Sequence, residues 1–346
     1  MRSYILAVPS FATPPRILVV RFSSIGDVIL TTPLLRALLA RHPDAEITYV
    51  TKAVMAPLVT DHPAVSRVIA LEAGESLPSL AARLRRLHFT HRLDLHGTLR
   101  AGLLRFLVPG TWSGFDHRRR ERRVLIGTKR DIYPTHRPVA ERYFEAAASL
   151  DVHPDGRPPE LFVAPAAEER AAAWLQEAGF GPKRLAVLAP GAAHATKRWP
   201  AEEWVRLAQL LNRDGFELAL IGGPEDQALG DGIAAQAGVP AAVAAGRLGL
   251  QDTGALLRRA TVAISGDTGA MHLATASGTP VVALMGPTVR QFGFYPYQAR
   301  ATVLELPLDC RPCTAHGGPV CPLGHHHCLR QISAAMVAAS VGELLR

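Results

Sequence analysis

Three short polar segments interrupt apolar runs of this 346-residue chain, and each carries side chains suited to chemistry on a phosphorylated substrate. In "VAISGDTGAMHLA", residues 266–269 separate an apolar run from a helical pattern that begins near Thr268. Small residues there leave the N–H groups of a first helical turn free to bind an anion such as a nucleotide phosphate. Asp267 is either the N-cap of that helix or a ligand contact, and His272 is either a structural histidine or part of the same site.

The second segment, "LAPGAAHATKRWPAEEWVRLAQLL", places Lys197 in a polar loop before Pro200 opens a helix. Lys197 is one of four lysines beside 34 arginines. A lysine retained in an Arg-rich chain indicates a compact ammonium facing a phosphate, and the alternative is a solvated surface lysine.

The third segment, "RFSSIGDVILTTPLLRAL", carries Ser23, Ser24 and Asp27 at the end of an apolar run. Asp27 either caps the helix that follows or, if it faces a cleft, is the best general-base candidate of the chain. A weaker fourth signal is Glu225 in "LIGGPEDQALG", in the first turn of a predicted helix. Its carboxylate either interacts favourably with the helix dipole or binds a ribose diol. No G-x-G-x-x-G follows these runs, which argues against a nicotinamide enzyme.

All four segments follow short, almost wholly apolar runs that alternate with amphipathic stretches. The pattern begins again after the Pro- and Gly-rich segment "HPDGRPPE". Such runs predict parallel sheets covered on both faces, so the chain is predicted to be α/β, with two doubly wound domains in tandem. Ligands bind at the carboxyl ends of strands in such sheets, where these segments lie. The predicted strands are 16–22, 45–51, 66–71, 91–97, 184–191, 216–223, 240–246, 260–265 and 279–286, and one helix is predicted over 28–42.

The net charge of +8 is concentrated in the first half of the chain. Residues 1–160 carry 23 Lys and Arg against 15 Asp and Glu, whereas residues 161–346 carry 15 of each. This asymmetry predicts an anionic partner for the first half, and no nucleic-acid recognition motif accompanies it. The basic run at 116–130 is either a solvated loop or an anion-docking loop. No apolar run reaches the roughly 18–20 residues of a membrane-spanning helix.

All four cysteines lie in "CRPCTAHGGPVCPLGHHHC" (310–328), together with four histidines. The first pair, Cys310 and Cys313, has the spacing of a metal knuckle, and Cys321 and Cys328 would complete a structural zinc site. The alternative is four reduced thiols in a turn-rich loop of a cytosolic protein, and the unusual spacing of the second pair favours it.

Together these segments resemble the ADP-heptose:lipopolysaccharide heptosyltransferase family, inverting glycosyltransferases of the GT-B fold. The resemblance runs from about Arg16 to Arg346 and is most specific in "FSSIGDVILTTPLLRAL", "KRWPAEEWVRLA" and "SGDTGAMHLATASGTPVVALMGPT". The Cys- and His-rich segment is similar to one in heptosyltransferase II-type members. The resemblance implies two Rossmann-like domains with a cleft between them. Residues 16–155 would bind the acceptor, residues 156–331 the nucleotide sugar, residues 1–15 would be an N-terminal extension, and a helix over 332–346 would pack back toward the first domain.

The resemblance also implies roles for individual residues. Asp27 would deprotonate the acceptor hydroxyl, Lys197 would hold the donor diphosphate, and neither step would need a metal or another cofactor. The implied donor-binding residues are Thr196, Glu225, Leu248, Asp267, Thr268, Gly269, Ala270 and His272. The expected acceptor-binding residues are Ser23, Ser24, Arg118, Arg119, Arg120 and Arg122.

The implied reaction is heptose transfer from ADP-heptose to the lipopolysaccharide inner core, Kdo-lipid A or its first heptose. We expect a monomer in the cytoplasm, peripheral to the inner membrane, that binds an anionic glycolipid and no nucleic acid. Three alternatives remain: a relative with another nucleotide sugar or acceptor, an epimerase or hydrolase of sugar nucleotides, and an inactive nucleotide-binding module.

Overall fold

The computed structural model describes residues 14–346, and it contains two parallel sheets. Residues 1–13, which include most of the predicted extension over 1–15, lie outside the described residues. The first sheet has the strand order β3-β2-β1-β4-β5, and every described pairing in it is parallel. Its strands are β1 (Arg16–Val20), β2 (Glu46–Lys52), β3 (Arg67–Leu71), β4 (His91–Asp94) and β5 (Trp112–Gly114).

The second sheet has the order β11-β10-β9-β6-β7-β8 and is parallel as well. The central strands β6, β9 and β10 are buried over nearly their whole length, which is why they read as continuous apolar runs in the sequence. The strands are β6 (Arg184–Ala189), β7 (Phe216–Leu220), β8 (Ala241–Val243), β9 (Val262–Gly266), β10 (Val281–Met285) and β11 (Ala301–Glu305).

Helices cover both faces of each sheet, as a doubly wound fold requires. In the first half of the chain they are α1 (Ile25–Ile29), α2 (Thr32–Arg41), α3 (Leu77–Arg85), α4 (Leu99–Leu107), α5 (Arg119–Thr128) and α6 (Val139–Arg142). In the second half they are α7 (Pro165–Glu177), α8 (Ala201–Arg213), α9 (Gln227–Ala237), α10 (Leu250–Arg259), α11 (Gly269–Ala276), α12 (His327–Arg330) and α13 (Ala334–Leu345). Among residues 14–346 no helix combines the length and the apolar character needed to cross a bilayer.

The single helix predicted over 28–42 is wrong, because the structure has α1 and α2 with a break at residues 30–31. Pro33 lies in the first turn of α2. A proline has no N–H to donate and its ring crowds the carbonyl four residues earlier, so it begins a new helix instead of continuing the old one. The break leaves α1 as a short helix that carries Asp27 at the carboxyl end of the central strand β1.

The C-terminal helix α13 packs on the second sheet. Its contacts are with α8, β10 and β11, and Val337 and Val341 are buried in the same cluster as Trp204 of α8. The prediction that this helix packs back toward the first domain is therefore corrected. The buried residues of α13, mostly apolar, are Ala334, Val337, Ser340 and Val341, and the helix packs with them on α8 and the second sheet.

Candidate active site

A cavity of about 1160 Å³ lies between the two sheets, at the carboxyl ends of their strands. Its walls include the segments that follow β1, β4 and β5 in the first sheet and β6, β7, β8, β9 and β10 in the second. β1 neighbours β4, and β6 neighbours β9, and at each of these pairs the order of the strands reverses. The cavity therefore lies at the topological switch point of both sheets, where open α/β sheets bind their ligands.

Asp27 is held on the first-domain wall by three donors. Its Oδ2 accepts the Ser24 hydroxyl at 2.7 Å and the Ser24 N–H at 3.2 Å, and its Oδ1 lies 2.6 Å from Arg21 Nη2. Ser24 is the N-cap of α1, so the two residues form a capping box, and Asp27 faces the cavity as well. Burial alone would raise the pKa of Asp27, but Arg21 and the Ser24 hydrogen bonds outweigh it and hold the pKa below its usual value. Asp27 is therefore an ionised, oriented carboxylate.

Arg21 is itself fixed by the backbone. Its Nε donates to the carbonyl of Ser23 at 2.8 Å, and its Nη1 donates to the carbonyl of Leu95 after β4. The guanidinium therefore links the ends of the two neighbouring strands β1 and β4, and its Nη2 remains to pair with Asp27. A buried cation so held cannot move away from the carboxylate without losing these hydrogen bonds.

Two neutral histidines, His96 and His117, line the cavity on the same wall as Asp27. Burial lowers the pKa of His96 to about 4, with a further contribution from Arg21, and burial together with Arg119 lowers the pKa of His117 to about 4. The Nδ1 of His96 is buried, and it has no hydrogen-bond partner within the described part of the chain. Neutral imidazoles can each donate or accept a hydrogen bond without adding charge, which suits them to sugar hydroxyls.

Lys197 lies on the opposite wall, at the end of a 3₁₀ turn over Ala195–Lys197. Its Nζ is 2.7 Å from Asp267 Oδ2, and the same oxygen accepts the Thr288 hydroxyl at 2.6 Å. The side chains of Lys197 and Asp267 are only 15% and 7% exposed. An ammonium has three N–H groups, so this pair leaves two of them for a ligand.

The N-terminus of α11 opens onto the cavity beside this ion pair. Thr268 is the N-cap and makes no side-chain capping bond, and Gly269 and Ala270 of the first turn line the cavity. The alternative that Asp267 caps α11 is wrong, because its carboxylate is turned to Lys197 and Thr288. First-turn N–H groups have no partner inside a helix and form the positive end of its dipole. Together with Lys197 they can bind a diphosphate.

Two glycines let the ends of α1 and α11 approach each other between the walls. A Cβ at Gly26 would overlap the imidazole Cδ2 of His272, and a Cβ at Gly269 would lie 2.7 Å from Ile25 Cβ. Each domain thus contributes one glycine and one packing side chain to the same contact. The contact fixes how far Asp27 lies from the first turn of α11, because both helices begin there. Burial lowers the pKa of His272, so this packing histidine is neutral.

Comparison with known proteins agrees with this geometry. The family model of glycosyltransferase family 9 (heptosyltransferase) matches residues 77–322. The chain belongs to this family. It is 27% identical over 356 residues to lipooligosaccharide heptosyltransferase 2 of Haemophilus influenzae, which covers 95% of this chain and 99% of that protein. It is therefore a glycosyltransferase, as the motifs around Asp27, Lys197 and Asp267 predict.

Solved structures of the family have the same architecture. A family 9 glycosyl transferase from Veillonella parvula aligns with a TM-score of 0.80 at 25% identity, covering 96% of this chain and 97% of that one. The ADP-heptose LPS heptosyltransferase II of E. coli aligns with a TM-score of 0.73 at 25% identity, covering 95% and 98%. The predicted fold, two Rossmann-like domains with a cleft between them, is confirmed.

Most residues that the sequence predicts to bind the donor come together on the cavity wall of this glycosyltransferase. Asp267 and the first turn of α11 flank Lys197, while Glu225 follows β7 and Leu248 follows β8 on loops that line the same cavity. The wall residues of this set are Glu225, Leu248, Asp267, Thr268, Gly269, Ala270 and His272.

Thr196 is the exception among the donor residues, because it is buried behind the wall. Its hydroxyl accepts the N–H of Gly318 at 2.8 Å, its N–H donates to the Gly318 carbonyl at 3.1 Å, and its carbonyl lies 2.9 Å from His326 Nε2. The Cys- and His-rich segment thus holds the residue next to Lys197. Thr196 supports the lysine loop and does not line the cavity.

The residues predicted to bind the acceptor are divided by the structure. Ser24, Arg119 and Arg122 line the main cavity, and Arg119 and Arg120 line a neighbouring cavity of about 560 Å³. Arg118 lines neither, because it pairs with Asp116 at 3.0 Å. Ser23 also lines neither cavity, and its carbonyl accepts the hydrogen bond from Arg21 Nε. Arg118 and Ser23 therefore lie outside both cavity walls.

Among the wall residues that the sequence did not predict are Arg21, His96, His117 and Thr288. Two of them had a usable signal, since Arg21 directly follows β1 and His96 follows β4, where chemistry was expected. Nothing in the spacing indicated that Thr288, 21 residues after Asp267, would bind its carboxylate.

The four cysteines of the glycosyltransferase are free thiols. Between residues 14 and 346 no group of three or more His, Cys, Asp or Glu is placed to hold a metal ion. The zinc candidate Cys310, Cys313, Cys321 and Cys328 therefore gains no support from the geometry. The segment instead joins the domains, since Lys129 at the end of α5 donates its Nζ to the carbonyls of Cys310 and Pro312.

Proposed function

We propose that this glycosyltransferase transfers heptose from ADP-heptose to the lipopolysaccharide inner core, Kdo-lipid A or its first heptose, with inversion at the anomeric carbon. Its sequence relatives are named as heptosyltransferases of lipopolysaccharide and lipooligosaccharide, and that supports the donor and the acceptor class. The observation that carries the mechanism is that Asp27 and Lys197 face one cavity from opposite domains.

Asp27 is the general base of the proposed reaction. The acceptor hydroxyl gives its proton to a carboxylate oxygen of Asp27 as its own oxygen attacks the anomeric carbon of the heptose. The bond from that carbon to the diphosphate breaks on the opposite face, and ADP leaves with the electron pair. Attack and departure on opposite faces invert the anomeric configuration.

The leaving diphosphate is bound by Lys197 and by the N–H groups at the start of α11. Negative charge grows on the diphosphate as the bond breaks, and donors fixed in advance stabilise that charge without reorganisation. Glu225 accepts hydrogen bonds from the ribose diol, and Leu248 contacts the nucleoside. No step of this scheme uses a metal ion, so EDTA should leave the rate unchanged.

The acceptor enters along the first domain, where Arg119, Arg122 and Arg142 line the cavity. Guanidinium groups bind phosphate and carboxylate in a bidentate manner, which suits the anionic sugars of the inner core. The protein then acts as a monomer at the cytoplasmic side of the inner membrane, where a lipid-linked acceptor is available.

Arg21→Gln should move the acid limb of the pH–activity profile to higher pH. The guanidinium lowers the pKa of Asp27, and a base acts only when it is deprotonated, so activity at about pH 5 should fall several-fold relative to activity at about pH 8. The measurement is kcat/KM across this range. Arg21→Lys keeps the charge and is the matched control, with a profile close to that of the wild type. An unchanged acid limb in the glutamine variant would mean that another group titrates.

Incubation of the purified protein with ADP-heptose and either Kdo-lipid A or its singly heptosylated form tests the proposal. One acceptor should gain a single heptose by mass spectrometry, and one ADP should be released for each heptose transferred. UDP- and GDP-sugars are the donor controls. Faster transfer from one of them would show that this sugar nucleotide, and not ADP-heptose, is the donor. Release of free sugar or of an epimer without an acceptor would instead indicate a hydrolase or an epimerase.

A further inference from the structure

Helix α4 packs on the first domain through a narrow face. Ala101 and Leu104 are its buried residues, and they join the apolar cluster that contains Leu80 and Leu84 of α3. Thr98 caps the helix by accepting the N–H of Ala101. The inner side of α4 is thus an ordinary core contact made by two side chains.

The outer side of α4 is apolar too, which is unusual for a surface helix. Leu99 is 96% exposed, Leu103 48% and Phe106 82%. With 3.6 residues per turn these three side chains fall within about 60° of one another, opposite Ala101 and Leu104. They form a ridge, Leu99, Leu103 and Phe106, that we call the α4 ridge. Contiguous apolar surface of this kind marks an interaction site.

Arginines flank the α4 ridge on both sides. Arg100 is exposed on one side, and Arg105 on the other side reaches toward Asp94 at 3.7 Å. Arg105 also lines the smaller cavity with Arg119 and Arg120. An apolar ridge with cationic margins complements a surface whose interior is apolar and whose border is anionic.

The α4 ridge also lies beside the entrance of the active site. The loop between β4 and α4 contributes His96 and Thr98 to the main cavity, and α4 begins at the next residue. A bilayer that contacted the α4 ridge would therefore present the head of a lipid-linked sugar to the wall that carries Asp27.

We infer that the α4 ridge docks this protein onto an anionic lipid bilayer, with Leu99, Leu103 and Phe106 in the interfacial region and Arg100 and Arg105 against lipid phosphates. The inference rests on the proposed function only in that it takes the acceptor to be lipid-linked. Each large apolar side chain transferred from water to the interface, and each arginine near the anionic surface, strengthens binding.

Vesicle co-sedimentation tests the docking without any sugar substrate. The wild type should bind phosphatidylcholine–phosphatidylglycerol vesicles, bind phosphatidylcholine vesicles weakly, and lose affinity as salt is raised. The double variant Leu99→Gln/Phe106→Gln should bind the mixed vesicles at least about tenfold more weakly, because two side chains no longer gain from leaving water. Arg100→Gln should weaken binding to the mixed vesicles only.

Leu323→Gln is the matched control, because Leu323 is an apolar side chain that is 63% exposed on the second domain, away from α4. This variant should bind the vesicles like the wild type. The changed side chains are exposed, so thermal unfolding should be unaffected, and this is checked for every variant. Undiminished binding by the double variant would overturn the inference. So would a wild-type dimer, seen by light scattering, that the double variant converts to a monomer, since a second copy would then cover the ridge.

An activity assay separates this inference from the proposed function. The double variant should transfer heptose to a delipidated, water-soluble acceptor at the wild-type rate and to a vesicle-held acceptor at least about tenfold more slowly. Vesicle binding with no heptose transfer to either acceptor would refute the proposed function alone. Transfer to both acceptors at wild-type rates by the double variant would refute the docking alone.

Discussion

Asp27→Asn should lower kcat by roughly 10³-fold and leave the affinity for ADP-heptose within about threefold of the wild type. The amide keeps the size of the side chain and can still accept the Ser24 hydroxyl, but it cannot take a proton from the acceptor. Because the donor is bound by the opposite wall, its affinity should not depend on Asp27. Rapid-quench turnover and calorimetric titration of the donor measure the two quantities separately.

The control for this variant must account for Arg21, which would be left buried without its carboxylate. An uncompensated buried charge costs about 3–5 kcal/mol, so unfolding of Asp27→Asn should be measured beside its activity. The double variant Asp27→Asn/Arg21→Gln removes both charges and should regain stability without regaining turnover. Asp44→Asn, at an exposed position of the same domain, should match the wild type in both respects. Retained turnover in a folded Asp27→Asn protein would falsify the assignment of this carboxylate as the base.

The placement of the main chemical residues was predictable because parallel sheets collect their loops at one edge. Asp27, Lys197 and Asp267 each follow an apolar run, and once such runs are read as parallel strands, their carboxyl ends must meet a common crevice. The sequence could not show which strands are neighbours. That β1 lies beside β4 and β6 beside β9 is a result of long-range pairing, and it is this pairing that brings the loops together.

Contacts between distant side chains were beyond prediction for a related reason. Asp267 was expected to cap a helix or to contact a ligand, because local spacing supports both, whereas its partners Lys197 and Thr288 are 70 and 21 residues away. Arg118 was grouped with its neighbours in a basic run, yet its left-handed backbone conformation turns it toward Asp116. Charge composition identifies a basic surface, but the backbone decides which arginines reach the cavity.

Lys197→Ala should weaken the binding of ADP-heptose by about 10²-fold and lower kcat as well. The variant loses a cation at the diphosphate, and it also leaves the largely buried carboxylate of Asp267 without its counter-ion, facing the phosphates. Truncating one partner of a buried charge pair costs about 2–5 kcal/mol, much of it from the charge that remains. Titration of ADP and of ADP-heptose measures the binding loss, and Lys183→Ala, at an exposed lysine of the same domain, is the matched control.

The double variant Lys197→Ala/Asp267→Asn shows how much of the lost affinity comes from the missing ammonium and how much from repulsion by the unpaired Asp267 carboxylate. If repulsion by Asp267 accounts for a large part, removing its charge should restore at least about tenfold of the lost affinity, and the two changes should be strongly non-additive. Lys197→Arg keeps a charge but not the compact ammonium, so it should bind ADP better than the alanine variant and still turn over slowly. Donor affinity that is unaffected in Lys197→Ala would place the diphosphate away from this wall, and the start of α11 would then have to bind it without the lysine.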